Sequence, residues 1–169
     1  SRAGTEVVAA EIVRRHPGRF AALAAIAPQD PEGAAAELER AVKQLGFKGA
    51  MITGSVQEEY IDRRKFWPIF AKAEALDVPI YIHPKMPPTN MIEQYLEYPG
   101  LSQAMLGFAA DAGLHAMRLI LSGVFDEYPR VKVILGHLGE ALPFWLWRMD
   151  SRFREVQKSE KEAADYYKD

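Results

Sequence analysis

"VKVILGHLGEALPFWLWRMD", residues 131–150, starts as a strand and ends as a helix. Val131, Val133, Ile134 and Leu135 form a short apolar run rich in β-branched side chains, which suits a strand buried on both faces of a parallel sheet. Gly136 follows, then His137, Gly139 and Glu140, and then a segment crowded with Phe144, Trp145, Trp147 and Arg148. A histidine that closes a buried strand is either a satisfied core residue or part of a site. The pattern recurs upstream. "VPIYIHP", residues 78–84, is another apolar run that closes on a histidine, His83, and is stopped by Pro84.

Outward from these two strands, helix and strand signals alternate. Residues 6–15 read as a helix that ends at His16-Pro17-Gly18. "DPEGAAAELERAVKQLG" reads as a helix with Asp30 as cap, Pro31 at the first position and Gly46 at the end. "DRRKFWPIFAKAEALD" places Phe66, Ile69, Phe70 and Leu76 near one face, with Pro68 close to the start or at a kink. The apolar stretch 100–129 reads as two helices, and "EALPFWLWRMDSRFREVQ" with the charged tail "KSEKEAADYYKD" as helical. Strands are predicted at about 20–26, 47–53, 79–83 and 131–136. Such alternation means βαβ units around a parallel sheet. Four units are about half of a (β/α)8 barrel, whose usual length is ~250 residues. They also suit a small doubly wound sheet, whose strand order would reverse. No linker or low-complexity segment divides residues 1–169, so a single domain is expected.

Composition narrows the function classes. The 169 residues carry a formal net charge of −2, with 49% hydrophobic and 26% charged residues. That balance has no basic stripe and argues against a nucleic-acid partner. No apolar run approaches ~20 residues, so no membrane span is expected. The first residues lack a signal-peptide pattern, and a soluble cytoplasmic protein is the default reading. There are no cysteines, which excludes disulfides and thiolate metal sites.

In α/β folds chemistry gathers at the C-terminal ends of strands, where His83 and His137 sit. His83 could offer a metal a neutral imidazole from a rigid backbone, or could tether the proline-rich loop that follows. His137 is of the residue type most often used for general acid–base work. Gly136 and Gly139 would let a ligand approach it. Glu140 is either a carboxylate of the same site or a cap for the following helix. Arg148 is either a guanidinium for a substrate carboxylate or a snorkelling member of an aromatic face. His16 and His115 read as structural or solvated. Alternation puts Tyr81 with His83, and Leu135 with His137, on the faces toward the mouth, and Ile80, Ile82 and Ile134 under helices.

"IYIHP" together with "VFDEYPRVKVILGHLGEALPFWLWRMDSR" resembles the amidohydrolase-related superfamily in its decarboxylase branch. "HPGRFAALAAI" and "GFKGAMI" extend the resemblance over nearly the whole chain. It implies a (β/α)8 metalloenzyme containing zinc or manganese. It implies that His83 is a metal ligand, and that His137 moves or orients a proton beside the metal. It further implies that Glu140 supports the site, and that Arg148 reaches a substrate carboxylate across an interface between copies. The family's opening strand with Glu-x-His or His-x-His has no counterpart before residue 16. Its strand-end aspartate has none either, since Asp165 and Asp169 lie in the charged tail. The chain is therefore expected to be an internal piece of the barrel, inactive alone. The expected activity is nonoxidative decarboxylation of an aromatic or unsaturated carboxylic acid by a homo-oligomer. Alternatives are hydrolysis of a lactone, ester or amide, or no catalysis at all.

Overall fold

The computed structural model describes residues 2–157 and 161–166. In chain order the elements are α1 (Arg2–Arg15), β1 (Ala24–Ala25), α2 (Pro31–Leu45), β2 (Ala50–Thr53) and α3 (Trp67–Ala75). They continue with β3 (Ile80–His83), α4 (Gly107–Ser122), α5 (Val124–Glu127), β4 (Val133–Leu135) and α6 (Leu142–Gln157). The strands form one sheet in the order β1-β2-β3-β4, and every pairing is parallel. Sequential order without reversal is the arrangement of barrel units and not of a doubly wound sheet.

Sequence explains the local boundaries. The Asp30 carboxylate accepts from the Gly33 amide at 3.1 Å, and Pro31 fills the first helical turn of α2. Gly46 ends that helix in left-handed backbone at φ 72°, with its amide donating to the Ala41 carbonyl. Replacing Asp30 by Ala should cost about 1 kcal/mol of unfolding free energy, the usual value of such a cap, measurable by urea titration. Pro68 is the second residue of α3, where its missing amide is harmless, so no kink follows.

Register sets which side chains face where. Ala50, Ile80 and Val133 align across the sheet, as do Met51, Tyr81 and Ile134, then Ile52, Ile82 and Leu135, while Thr53 pairs with His83. Ala50, Ile52, Ile80 and Ile82 are buried and pack with Leu38, Phe70, Leu119 and Val124 from the helices. The other face carries Met51, Thr53, Tyr81, His83 and Ile134, none of them buried. One expectation fails here. Ile134 was expected under the helices, but it is 44% exposed, and Val133 and Leu135 pack against the core instead. In-register neighbours of a parallel sheet point the same way, so the pairing of Val133 with Ile80 fixes the phase of β4.

The tail also departs from expectation. Ala163–Tyr166 is a short 3-10 turn and not part of a longer helix. Asp165 lies in that turn, while 158–160 and 167–169, Asp169 included, fall outside the described residues. Among the described residues no helix is long and apolar enough to cross a membrane.

Candidate active site

His83 is the last residue of β3, on the sheet face away from the core helices, and it is exposed. Its Nδ1 lies 2.9 Å from the Pro84 carbonyl oxygen. A carbonyl can only accept, so Nδ1 carries the proton and Nε2 keeps its lone pair. This is the arrangement that metal-bound imidazoles adopt, with one nitrogen fixed by a backbone carbonyl and the other left to coordinate. The Tyr81 ring stands edge-on to the His83 ring, with centroids 6.1 Å apart.

His137 comes from the neighbouring strand but not from its alternation. The chain leaves the sheet at Gly136 and makes a left-handed turn. His137, Leu138, Gly139, Glu140 and Ala141 all have positive φ, at 47°, 60°, 81°, 53° and 64°. Left-handed backbone costs a non-glycine residue roughly 1–2 kcal/mol, so four such residues within five positions are a strained feature held by their surroundings. The turn brings His137 Nδ1 to 2.5 Å from Glu140 Oε1. The Glu140 side chain is 1% exposed and that of His137 60%. The carboxylate therefore holds one imidazole nitrogen from inside while the rest of the ring meets solvent. The helix-cap alternative for Glu140 is not what forms: the residue precedes α6 in left-handed backbone, and its carboxylate reaches His137.

Gly136 locks this corner. A Cβ there would come 2.6 Å from the Tyr81 hydroxyl and 3.7 Å from Glu140 Oε1. Only glycine lets the end of β4 approach Tyr81 so closely. The structure thus gathers His83, Tyr81, Gly136, His137 and Glu140 at the C-terminal ends of β3 and β4. It does not bring Arg148 to them. Arg148 is exposed on α6, one turn beyond Phe144 and next to Trp147, which are 88% and 82% exposed. No described contact joins its guanidinium to either histidine or to Glu140.

A second polar group escaped the sequence reading. Asp111, His115 and Arg118 recur at helical spacing along α4 and grip three consecutive residues of the β2–α3 loop. Tyr60 donates to Asp111 Oδ1 at 2.5 Å, the Ile61 amide donates to His115 Nε2 at 3.3 Å, and Arg118 forks onto Asp62 at 2.8 and 3.0 Å. Burial raises the Tyr60 phenol, aided by Asp111, and also raises the Asp111 carboxyl. His115 is fully buried, and burial pushes its imidazole down to about 4. It is structural, as expected, but not solvated. The visible signal was the i, i+4, i+7 spacing of three polar residues in an otherwise apolar helix.

This gives a pH prediction. Between pH 6.5 and 4 the unfolded chain holds more protons on this imidazole than the folded chain does. Stability should therefore fall on acidification through that window, by about 3 kcal/mol in total from this group. The raised Asp111 carboxyl contributes with the opposite sign and partly offsets the loss. Urea midpoints at pH 7 and pH 5 should differ, and His115→Asn should flatten the difference.

Among the described residues no cluster of three or more His, Cys, Asp or Glu side chains could hold a metal ion. His83 is the strand-end imidazole whose Nδ1 is held by a backbone carbonyl.

Comparison with known proteins identifies the family and the fold. The sequence model of the amidohydrolase family matches residues 2–156. A gamma-resorcylate decarboxylase from Polaromonas sp. is 42% identical over 161 residues, which cover 92% of this chain and 49% of that enzyme. The crystal structure of 2,6-dihydroxybenzoate decarboxylase from Rhizobium superposes with a TM-score of 0.88 at 39% identity, over 96% of this chain and 54% of that one. A 5-carboxyvanillate decarboxylase from Novosphingobium aromaticivorans, solved with bound manganese, also gives 0.88, at 40% identity over 95% and 46%. The chain spans about half the length of the relatives it matches.

Proposed function

The chain belongs to the amidohydrolase family, and from that premise we propose that it supplies half the barrel of a metal-dependent, nonoxidative decarboxylase of an aromatic hydroxy acid. The observation that carries the reading is the pairing at neighbouring strand ends of an imidazole oriented for a metal, His83, with an imidazole held by a buried carboxylate, His137 on Glu140. Zinc or manganese would suit a site of this kind, and manganese is the ion in the carboxyvanillate decarboxylase structure. When bound, the metal would polarise the substrate and neutralise its charge.

The chain's own residues would do the rest. His83 Nε2 would hold the ion at the mouth, with its ring fixed by the Pro84 carbonyl. Decarboxylation breaks the bond between ring carbon and carboxyl carbon, releases CO2 and returns a proton to the ring. Glu140 accepts from His137 Nδ1 and so leaves Nε2 as the atom that hands over that proton and regains it from solvent. Arg148 would bind a substrate carboxylate from the exposed aromatic face of α6, in a second copy of the chain. That part of the proposal rests on Phe144 and Trp147 lying open beside it. A homo-oligomer in the cytoplasm follows from the same reading.

The test uses the full-length protein that contains this segment, loaded with manganese. CO2 and resorcinol should appear from 2,6-dihydroxybenzoate. Lactone opening without CO2 would favour the hydrolase alternative, and turnover of neither would favour a noncatalytic barrel. The segment alone, with one metal ligand, should turn over neither.

A further inference from the structure

Tyr81 belongs to the corner of His83 and His137 but has no part in the chemistry proposed above. It is the second residue of β3, on the face that carries His83, and its in-register neighbours are Met51 and Ile134. It touches both halves of the site. Its ring stands edge-on to the His83 imidazole, with centroids 6.1 Å apart, a favoured geometry for two aromatic rings. Its hydroxyl reaches Gly136, just past the end of β4. A Cβ on Gly136 would come 2.6 Å from the hydroxyl oxygen and 3.5 Å from the ring carbon that bears it. Glu140 Oε1 lies 3.7 Å from the same point. Phenol and carboxylate therefore flank one spot beside Gly136, where the turn that carries His137 begins.

Backbone conformation does not require glycine at position 136. Its φ is −71° and its ψ −177°, an extended conformation that any residue adopts. Space requires it. An added methyl group would stand too close to one atom, the Tyr81 oxygen, while its distances to the ring carbon and to Glu140 are those of ordinary van der Waals contact. The phenol cannot yield at the oxygen alone, because ring and hydroxyl move as one rigid body. A push on the oxygen displaces the ring, and the ring lies against His83. The hydroxyl is thus a spacer. It sets how far the strand end that bears His137 and Glu140 stands from the strand that bears His83, and close packing passes any change in that spacing from one to the other.

We propose that Tyr81 is a positioning residue, whose hydroxyl, set against Gly136, fixes the His137–Glu140 pair relative to His83. Its kinetic consequence rests on the decarboxylase reading, and a spectroscopic readout keeps the two apart. In the manganese-loaded full-length protein, Gly136→Ala should lower kcat about a hundredfold at unchanged KM and metal content, the cost of moving a catalytic group by about an ångström. Tyr81→Phe keeps the ring and removes the spacer, and should lower kcat about tenfold, a smaller displacement of the same kind. The double variant should be no worse than Tyr81→Phe, since the methyl group then occupies the space the oxygen has left, whereas two independent losses would multiply. The zinc-loaded protein gives a readout without turnover. In mildly alkaline solution the imidazole nitrogen NMR signals of His137, assigned with His137→Asn, should show the proton on Nδ1, where the Glu140 carboxylate accepts it. Gly136→Ala should lose that signature, and the double variant should regain it. An undiminished kcat in Tyr81→Phe, a double variant worse than Tyr81→Phe, or unchanged His137 signals in Gly136→Ala would overturn the assignment. Tyr81→Phe and the double variant carry the test if Gly136→Ala fails to fold. If the His137 signals follow the variants as stated while the unaltered protein releases no CO2 from 2,6-dihydroxybenzoate, the positioning role stands and the decarboxylase reading falls.

Discussion

In the full-length protein, His83→Asn should lose bound metal and decarboxylation together, with activity falling by at least about a thousandfold. The substitution keeps a polar side chain at the end of β3 but removes the Nε2 lone pair that the Pro84 carbonyl leaves bare. A metal acting as Lewis acid contributes several kcal/mol to the transition state, and ~4 kcal/mol corresponds to three decades in rate. Because His83 is exposed and outside the core, the fold should be unaffected. Metal content by atomic emission, beside kcat from CO2 release, checks both halves. Full metal content with lost activity would remove His83 from the ligand set.

His137→Asn should separate the two properties. Turnover should drop about a hundred- to ten-thousandfold, the usual share of general acid–base catalysis, while metal content stays near that of the unaltered protein. Glu140→Gln should fall in the same direction but less far, since it removes the charge that orients the imidazole and not the imidazole itself. Loss of metal in His137→Asn would instead make that residue a ligand.

The barrel arrangement was legible because its signals are local. Apolar runs ended by His83-Pro84 and Gly136-His137, and a helix bounded by Asp30-Pro31 and Gly46, each announce their own boundaries. The phase of β4 was not legible, because Val133, Ile134 and Leu135 are all apolar and nothing in the run says which face is buried. Pairing with Ile80 and Ile82 decides that. The turn at 137–141 was only half legible. Its residues were singled out, but four non-glycine residues in left-handed backbone run against intrinsic preference, and the contact of Glu140 with His137 that accompanies them is tertiary. The grip of α4 on the β2–α3 loop joins residues more than fifty positions apart, so only its spacing was visible in the sequence.

The central claim is that His83 is one corner of a catalytic metal centre shared with the rest of a barrel. The measurement closest to it is anomalous scattering at the manganese edge from crystals of the full-length protein. The predicted result is a single strong peak within about 2.3 Å of His83 Nε2, beside the His137–Glu140 pair and at the C-terminal mouth of the sheet. A peak bound elsewhere, or none at His83 in crystals of a protein that releases CO2, would contradict the account.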